Sequence, residues 1–337
     1  MSEGRHRSAG EVADLTRDRG AAWLRRGAPK VGGDRGAISG PADLIGAHMS
    51  IAGGLPLALE RGLALDCSAV QIFVKNQRQW AARPLGDAEA REFRAARRAT
   101  GIPAVFAHGS YLINLGSPAE AAWRQAVDAF TDELERAEAL GLACVAIHPG
   151  SHLGSGVPAG VARVAAAVRE VLRRTRGYRV RVALEDTAGA GGTLGRTFAE
   201  LGAMLDQAGR ARRVGVCLDT CHLFAAGYDI RTEVGYRAAM AECAAAVGIE
   251  RVLAFHLNDA KAPLGSGLDR HENIGQGQLG LTPFRCLLND ARFRAVPKVL
   301  ETPKDPEPAA DRRNLAVLRG LRTVSARRSR PPAGRAR

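Results

Sequence analysis

Short apolar runs alternate eight times with longer helical patterns along this chain, which leaves few folds open to it. The β-prone runs are Leu44–His48, Ala69–Val74, Pro103–His108, Cys144–His148, Val180–Glu185, Val214–Asp219, Val252–His256 and Pro297–Glu301. Between them lie amphipathic stretches such as Asp87–Thr100, Pro118–Leu140, Gly160–Thr175, Thr197–Ala208, Val234–Val247 and Thr282–Leu288, and a last one covers Ala309–Leu321. Strands separated by helices imply a parallel sheet, and the count of eight matches a closed (β/α)8 barrel, the TIM-barrel class of α/β fold. A doubly wound open sheet is the alternative, but no glycine-rich nucleotide loop follows the first strand. The expected organisation is a flexible Gly- and Arg-rich extension over residues 1–42, one barrel domain over 43–322, and a basic disordered tail over 323–337.

Most of the predicted strands end in a side chain that can bind a metal. His108, His148, Glu185, Asp219, His256 and Glu301 each stand at or just after the end of an apolar run. Their successive separations of 40, 37, 34, 37 and 45 residues approximate one βα unit with its loop. In a barrel all strands point the same way, so these six converge on one mouth. Any one of them alone reads equally well as a hydrogen-bonded polar residue. Six together do not read as core filling, because buried carboxylates and imidazoles are costly unless paired or metal-bound. His222, three residues after Asp219, and the Asp269-Arg270-His271 segment in the long loop after the seventh strand add candidates at the same mouth. Nitrogen and oxygen ligands without an obvious thiolate make zinc the first choice and manganese the second. Of eight histidines only His6 falls in the extension, and His48 and His152 are the two mouth histidines left unassigned, with supporting, phosphate-contact and structural roles all open.

Composition narrows the partner. The formal net charge is +13, and the body stays basic without the five arginines of the tail Ala326–Arg337. That balance suits a polyanion such as nucleic acid. No stretch of about 20 apolar residues suggests a membrane span, and the N-terminus lacks the apolar core of a secretory signal. The six cysteines contain no CxxC pair and read as reduced, mostly buried thiols; Cys217 and Cys221, which flank Asp219, lack the second pair of a thiolate zinc site. A soluble, cytoplasmic monomer without membrane association is expected.

These residues lie in stretches that resemble the endonuclease IV family over roughly 44–322. The carriers are Ile45-Gly46-Ala47-His48, Lys75-Asn76-Gln77-Arg78-Gln79-Trp80, His108-Gly109-Ser110-Tyr111-Leu112-Ile113-Asn114-Leu115, His148-Pro149-Gly150-Ser151-His152, Asp219-Thr220-Cys221-His222 with Ala225-Ala226-Gly227-Tyr228-Asp229, His256-Leu257-Asn258-Asp259 and Leu300-Glu301-Thr302. The resemblance implies a trinuclear zinc phosphodiesterase that repairs abasic sites in duplex DNA. It implies one zinc on His108, His148 and Glu185, a second on Glu185 as a bridge with Asp219, His256 and Glu301, and a third on His222, Asp269 and His271. Glu185 and Glu301 are then the carboxylates best placed to orient the nucleophile. Incision 5′ to the abasic sugar would leave a 3′-hydroxyl and a 5′-deoxyribose phosphate. One departure is Asp186 after Glu185, where the family commonly has Asn.

An abasic sugar phosphate is hidden in a duplex and must be rotated out to be cut. Asn76, Arg78, Gln79 and Trp80 offer a guanidinium, flat amides and an aromatic to fill the gap, with Tyr111 as a second wedge; a solvated polar turn is the plain alternative for that loop. Two other function classes remain as rivals. A sugar isomerase or epimerase on the same barrel has no use for the His222/Asp269/His271 set. A non-catalytic nucleic-acid binder explains the charge but not the ligands.

Overall fold

The computed structural model describes residues 44–305 and 308–323. The expected extension over 1–42 and, apart from Thr323, the expected tail lie outside the described residues. In chain order the elements are β1 (Ile45–His48), α1 (Leu55–Ala64), β2 (Ala69–Phe73), α2 (Asp87–Thr100), β3 (Ala104–His108), α3 (Glu120–Leu140), β4 (Cys144–Ile147), α4 (Val157–Arg174), β5 (Arg181–Glu185), α5 (Phe198–Gln207), β6 (Val214–Asp219), α6 (Thr220–Ala226), α7 (Glu233–Ala246), β7 (Val252–His256), β8 (Asp259–Ala260), β9 (His271–Glu272), α8 (Thr282–Asn289), β10 (Lys298–Leu300) and α9 (Ala309–Gly320). β1 to β7 and β10 close into a barrel in which every neighbouring pair is parallel, with β10 between β7 and β1. β8 and β9 form a small antiparallel ribbon inside the loop after β7. The structure is therefore the (β/α)8 barrel that the alternation predicts.

Side-chain alternation along each strand sorts the core into two layers. Val105 and Ala107, Val182 and Leu184, or Val70 and Ile72 face outward and pack against the helices. The opposite set, including Ala69, Ala104, Phe106, Cys144, Ala146, Ala183, Cys217, Ala254 and Val299, fills the barrel interior. The helices answer with stripes at helical spacing, such as Val161, Val164, Ala165, Val168 and Val171 on α4. Left-handed glycines Gly101 and Gly141 end α2 and α3. Five of the six cysteines are buried free thiols and Cys286 is half-buried. Among the described residues, no helix is long and apolar enough to cross a membrane.

Three features are not evident in the sequence. α1 is absent from the predicted helices. α6 is a short helix begun by Asp219, whose carboxylate accepts the amide protons of Cys221 at 2.6 Å and His222 at 3.2 Å. The β8–β9 ribbon is two residues per strand, below the length at which periodicity can be seen.

Candidate metal centre

The interior alternation carries straight into the site. Ala104, Phe106 and His108 share a face of β3; Ala183 and Glu185 do so on β5, Cys217 and Asp219 on β6, Ala254 and His256 on β7. His148 and Glu301 follow one residue beyond β4 and β10 in the same phase. Register levels the tips, with Asp219 opposite His256 and Glu185 opposite Cys217. Because the strands are parallel, these side chains gather above the packed interior at the C-terminal mouth.

Glu185 is the hub and is fully buried. Its Oε2 lies 2.9 Å from His108 Nε2 and 3.3 Å from His148 Nε2. Its Oε1 lies 2.8 Å from His256 Nδ1 and 3.5 Å from His222 Nδ1. His256 Nδ1 is also 3.3 Å from Glu301 Oε2 and 3.8 Å from Asp219 Oδ2. On the far side, Asp269 reaches His222 Nε2 at 3.2 Å and His271 Nε2 at 3.0 Å, and His271 Nε2 stands 3.6 Å from Asp219 Oδ2. All nine predicted ligand positions are therefore brought together. His108, His148 and Glu185 form one group with mutually close ligand atoms, and Glu185, Asp219, His256 and Glu301 form a second. Around the third, Asp219, His222 and His271 are close, as are Cys221, Asp269 and His271. Cys221 Sγ nevertheless donates to the Arg270 carbonyl at 3.6 Å, and burial pushes its thiol up, in keeping with a structural cysteine.

The donor chemistry fits divalent cations. His108 Nδ1 donates to Gly109 O at 2.7 Å, His222 Nδ1 to Asp186 O at 2.9 Å, and His271 Nδ1 to Glu301 O at 3.1 Å. With Nδ1–H so engaged, each neutral ring offers its Nε2 lone pair toward a carboxylate, the arrangement of a metal-binding histidine held by backbone carbonyls. His271 Nε2 is buried and faces Asp269 Oδ1 at 3.0 Å without a well-aligned hydrogen bond. Without a cation the cluster balances itself with protons. Burial lowers the affinity of His222 and His256 for a proton, but the surrounding carboxylates, joined at His256 by Cys217, outweigh it and raise both well above the ordinary range. His271 rises to about 9 for the same reason, against its own burial and chiefly through Asp219 and Asp269. Burial opposes ionisation of Glu185, and the imidazoles of His256, His148 and His108 reverse that and hold its carboxyl well below the usual range.

The predicted contact residues rim the same mouth. Asn76, Arg78 and Gln79 are exposed in the loop after β2, where Asn76 Oδ1 accepts the Arg78 amide at 3.0 Å. Tyr111 is 65% exposed, with its ring 5.6 Å from that of His108. Beside it a cleft of about 260 Å³ is lined by His108, Tyr111, Asn114, His148, Ser151 and Thr187. Gly150 shapes its wall: its φ is +100°, and a Cβ there would sit 2.1 Å from Asn114 Oδ1. α3 braces both loops from below. Lys75 Nζ meets Asp132 Oδ2 at 2.8 Å and Trp80 O at 3.2 Å. Glu133 accepts the Ser110 amide, and Ser110 Oγ donates to Gln77 O at 2.6 Å.

His152 Nδ1 accepts the amides of Gly154 and Gly156, a local turn role. His48 lies at the edge of the ligand set, 3.6 Å from Glu301 Oε1. Sequence reasoning missed two site residues. Asn258 donates to Asp219 Oδ2 at 2.6 Å and accepts the Glu301 amide at 2.9 Å, so one amide ties two ligands together. Gln71 stands fully buried inside β2. Its signal is a lone amide at an interior-facing position of an otherwise apolar strand.

The chain matches the family described as Xylose isomerase-like TIM barrel over residues 59–321. A relative in Chloroflexus aurantiacus, "Probable endonuclease 4", is 47% identical over 276 residues, covering 82% of this chain and 97% of the relative. The crystal structure of endonuclease IV from Thermus thermophilus superposes with a TM-score of 0.73 at 38% identity, over 82% of this chain and 98% of that one. A D-tagatose 3-epimerase-like protein shares the fold at 18% identity, with a TM-score of 0.62 over 82% of this chain and 96% of that one.

Proposed function

The chain belongs to the endonuclease IV family, and from that premise we propose that it is a zinc-dependent DNA repair endonuclease that incises duplex DNA 5′ to abasic sites. The observation that carries this reading is the junction of three ligand sets through buried Glu185 and Asp219 at one barrel mouth. His108, His148 and Glu185 would hold one zinc. Glu185, Asp219, His256 and Glu301 would hold the second, and His222, Asp269 and His271 the third, with manganese acceptable at one or more positions. Such ions supply Lewis acidity, making water nucleophilic near neutral pH and offsetting negative charge as the phosphodiester opens.

The chain's own groups do the rest. Glu185 and Glu301 hold their oxygens toward the centre of the mouth, where they orient the nucleophile. The cleft beside Tyr111 and Asn114 receives the rotated-out sugar phosphate. Arg78 and Tyr111, with Asn76 and Gln79 beside them, fill the gap left in the stack, and the basic body follows the backbone. Products are a 3′-hydroxyl and a 5′-deoxyribose phosphate. We assign the catalytic domain to residues 43–322 and expect a cytoplasmic monomer. An epimerase on the same barrel would leave His222, Asp269 and His271 without a role. A duplex carrying one abasic analogue, incubated beside an intact duplex and a panel of ketoses, tests the choice. Incision of the lesion strand alone supports it, and sugar epimerisation without incision overturns it.

A further inference from the structure

Gln71 makes a set of hydrogen bonds that a core-filling residue would not need. A buried amide left unsatisfied is costly, yet this one reaches across the barrel interior to His256 on β7 and to Glu301 just past β10, and also meets His48 on the neighbouring β1. Its Oε1 lies 2.8 Å from His256 Nε2. Its Nε2 donates to Glu301 Oε1 at 2.5 Å and lies 2.9 Å from His48 Nδ1. The amide can face only one way, because reversal would set its carbonyl oxygen against the Glu301 carboxylate. Oε1 therefore accepts the Nε2 proton of His256, so that in the neutral ring a cation would meet, the lone pair falls on Nδ1, toward Glu185 and Glu301. The same amide occupies Oε1 of Glu301 and leaves Oε2 turned to His256 Nδ1.

We propose that Gln71 is a positioning residue that presets the Glu185–Asp219–His256–Glu301 set for its cation, choosing at once the ring nitrogen of His256 and the carboxylate oxygen of Glu301 that face it. This rests on reading that set as a divalent-cation site. Partners behind a metal ligand fix its tautomer and orientation, and their loss weakens metal affinity by about 10- to 100-fold.

The test uses the zinc-loaded full chain in competition with a chromophoric chelator. In Gln71→Met, which keeps the bulk and removes the bonds, one class of zinc is expected to bind about 10- to 100-fold more weakly while the others are held as in the wild type. Gln71→Asn, polar but one methylene too short to span both partners, is expected to show the same selective loss and carries the comparison if the Met variant does not fold. Long-range 15N–1H spectra of the zinc-loaded wild type are expected to report His256 protonated at Nε2. Zinc retention equal to the wild type, a parallel loss of every zinc in step with lowered stability, or a His256 protonated at Nδ1 would each overturn the inference. Failure of the wild type itself to bind zinc would instead overturn the metal reading beneath it.

Discussion

Glu185→Gln is the sharpest perturbation because the substitution keeps shape and removes only charge and one acceptor. Each Glu185 oxygen faces two imidazole nitrogens, at 2.9 and 3.3 Å on one side and at 2.8 and 3.5 Å on the other. An amide there turns one of those oxygens into a donor and leaves His108 and His148 without a carboxylate partner, while His256 keeps Glu301 and His222 keeps Asp269. Removing one partner of a buried ion pair costs roughly 3–5 kcal/mol, which corresponds to roughly 10²- to 10⁴-fold in cation affinity for each set that uses the carboxylate. The His222–Asp269–His271 set meets Glu185 only through His222 Nδ1 at 3.5 Å and should keep its ion. Metal content should therefore drop from about three ions per chain toward about one. Single-turnover incision of an abasic-analogue duplex should fall by about 10³-fold or more. Affinity for the same duplex, read by fluorescence anisotropy, should stay within about threefold, because phosphate contacts dominate it. A variant that keeps a tenth of the wild-type rate, or that keeps every ion, would refute the bridging role.

Arg78→Ala should weaken binding to abasic duplex by roughly 5- to 150-fold, the range implied by about 1–3 kcal/mol for a group that stacks into the gap. Binding to intact duplex and its salt slope should change by no more than one phosphate contact; equal losses on both duplexes would reduce Arg78 to a backbone contact. Asp186→Asn should raise the melting temperature of the metal-free protein at pH 8 but not at pH 4. Burial first, with Asp219 and Glu185 adding, raises the Asp186 carboxyl well above its ordinary range, and its Oδ2 has no hydrogen-bond partner. The unfolded chain ionises first as pH rises, so the wild type loses stability above the unfolded pKa and the amide does not; an unchanged difference between the two pH values would contradict this. Incision should survive brief, modest EDTA and disappear on prolonged, stronger chelation, since His108, Glu185, Asp219, His222 and His256 are buried; immediate loss reversed by magnesium alone would contradict tightly held zinc.

The barrel and the six strand-end candidate ligands were legible because both follow from strand periodicity, whereas His222, Asp269 and His271 lie past the strand ends and were candidates by motif and family resemblance. His108, Glu185, Asp219 and His256 end their strands where the apolar runs end, so the run boundary located the mouth without any knowledge of contacts. Gln71 escaped because its role comes from two distant strands, and nothing local distinguishes a bridging amide from a tolerated one. Asn258 escaped although it lies in a stretch that carries the family resemblance, since its tie between Asp219 and Glu301 spans 82 residues of chain separation between those two ligands. The bracing of the Arg78 and Tyr111 loops by Lys75, Asp132 and Glu133 was likewise invisible, because charged residues on a long helix ordinarily read as its solvated face. α6 was hidden in the Asp219–His222 motif, where the N-capping carboxylate is also a candidate ligand.

On the proposed reading, one chain carries three cation sites whose joint product is a cut beside an abasic sugar. The most direct measurement takes one preparation, determines its zinc per chain, and then analyses both ends produced from a duplex with a single abasic analogue. The expected result is about three zinc ions per chain and a single break with a 3′-hydroxyl on one side and a 5′-deoxyribose phosphate on the other. A fully loaded protein that leaves the duplex intact, or that breaks it on the 3′ side of the lesion, would contradict it.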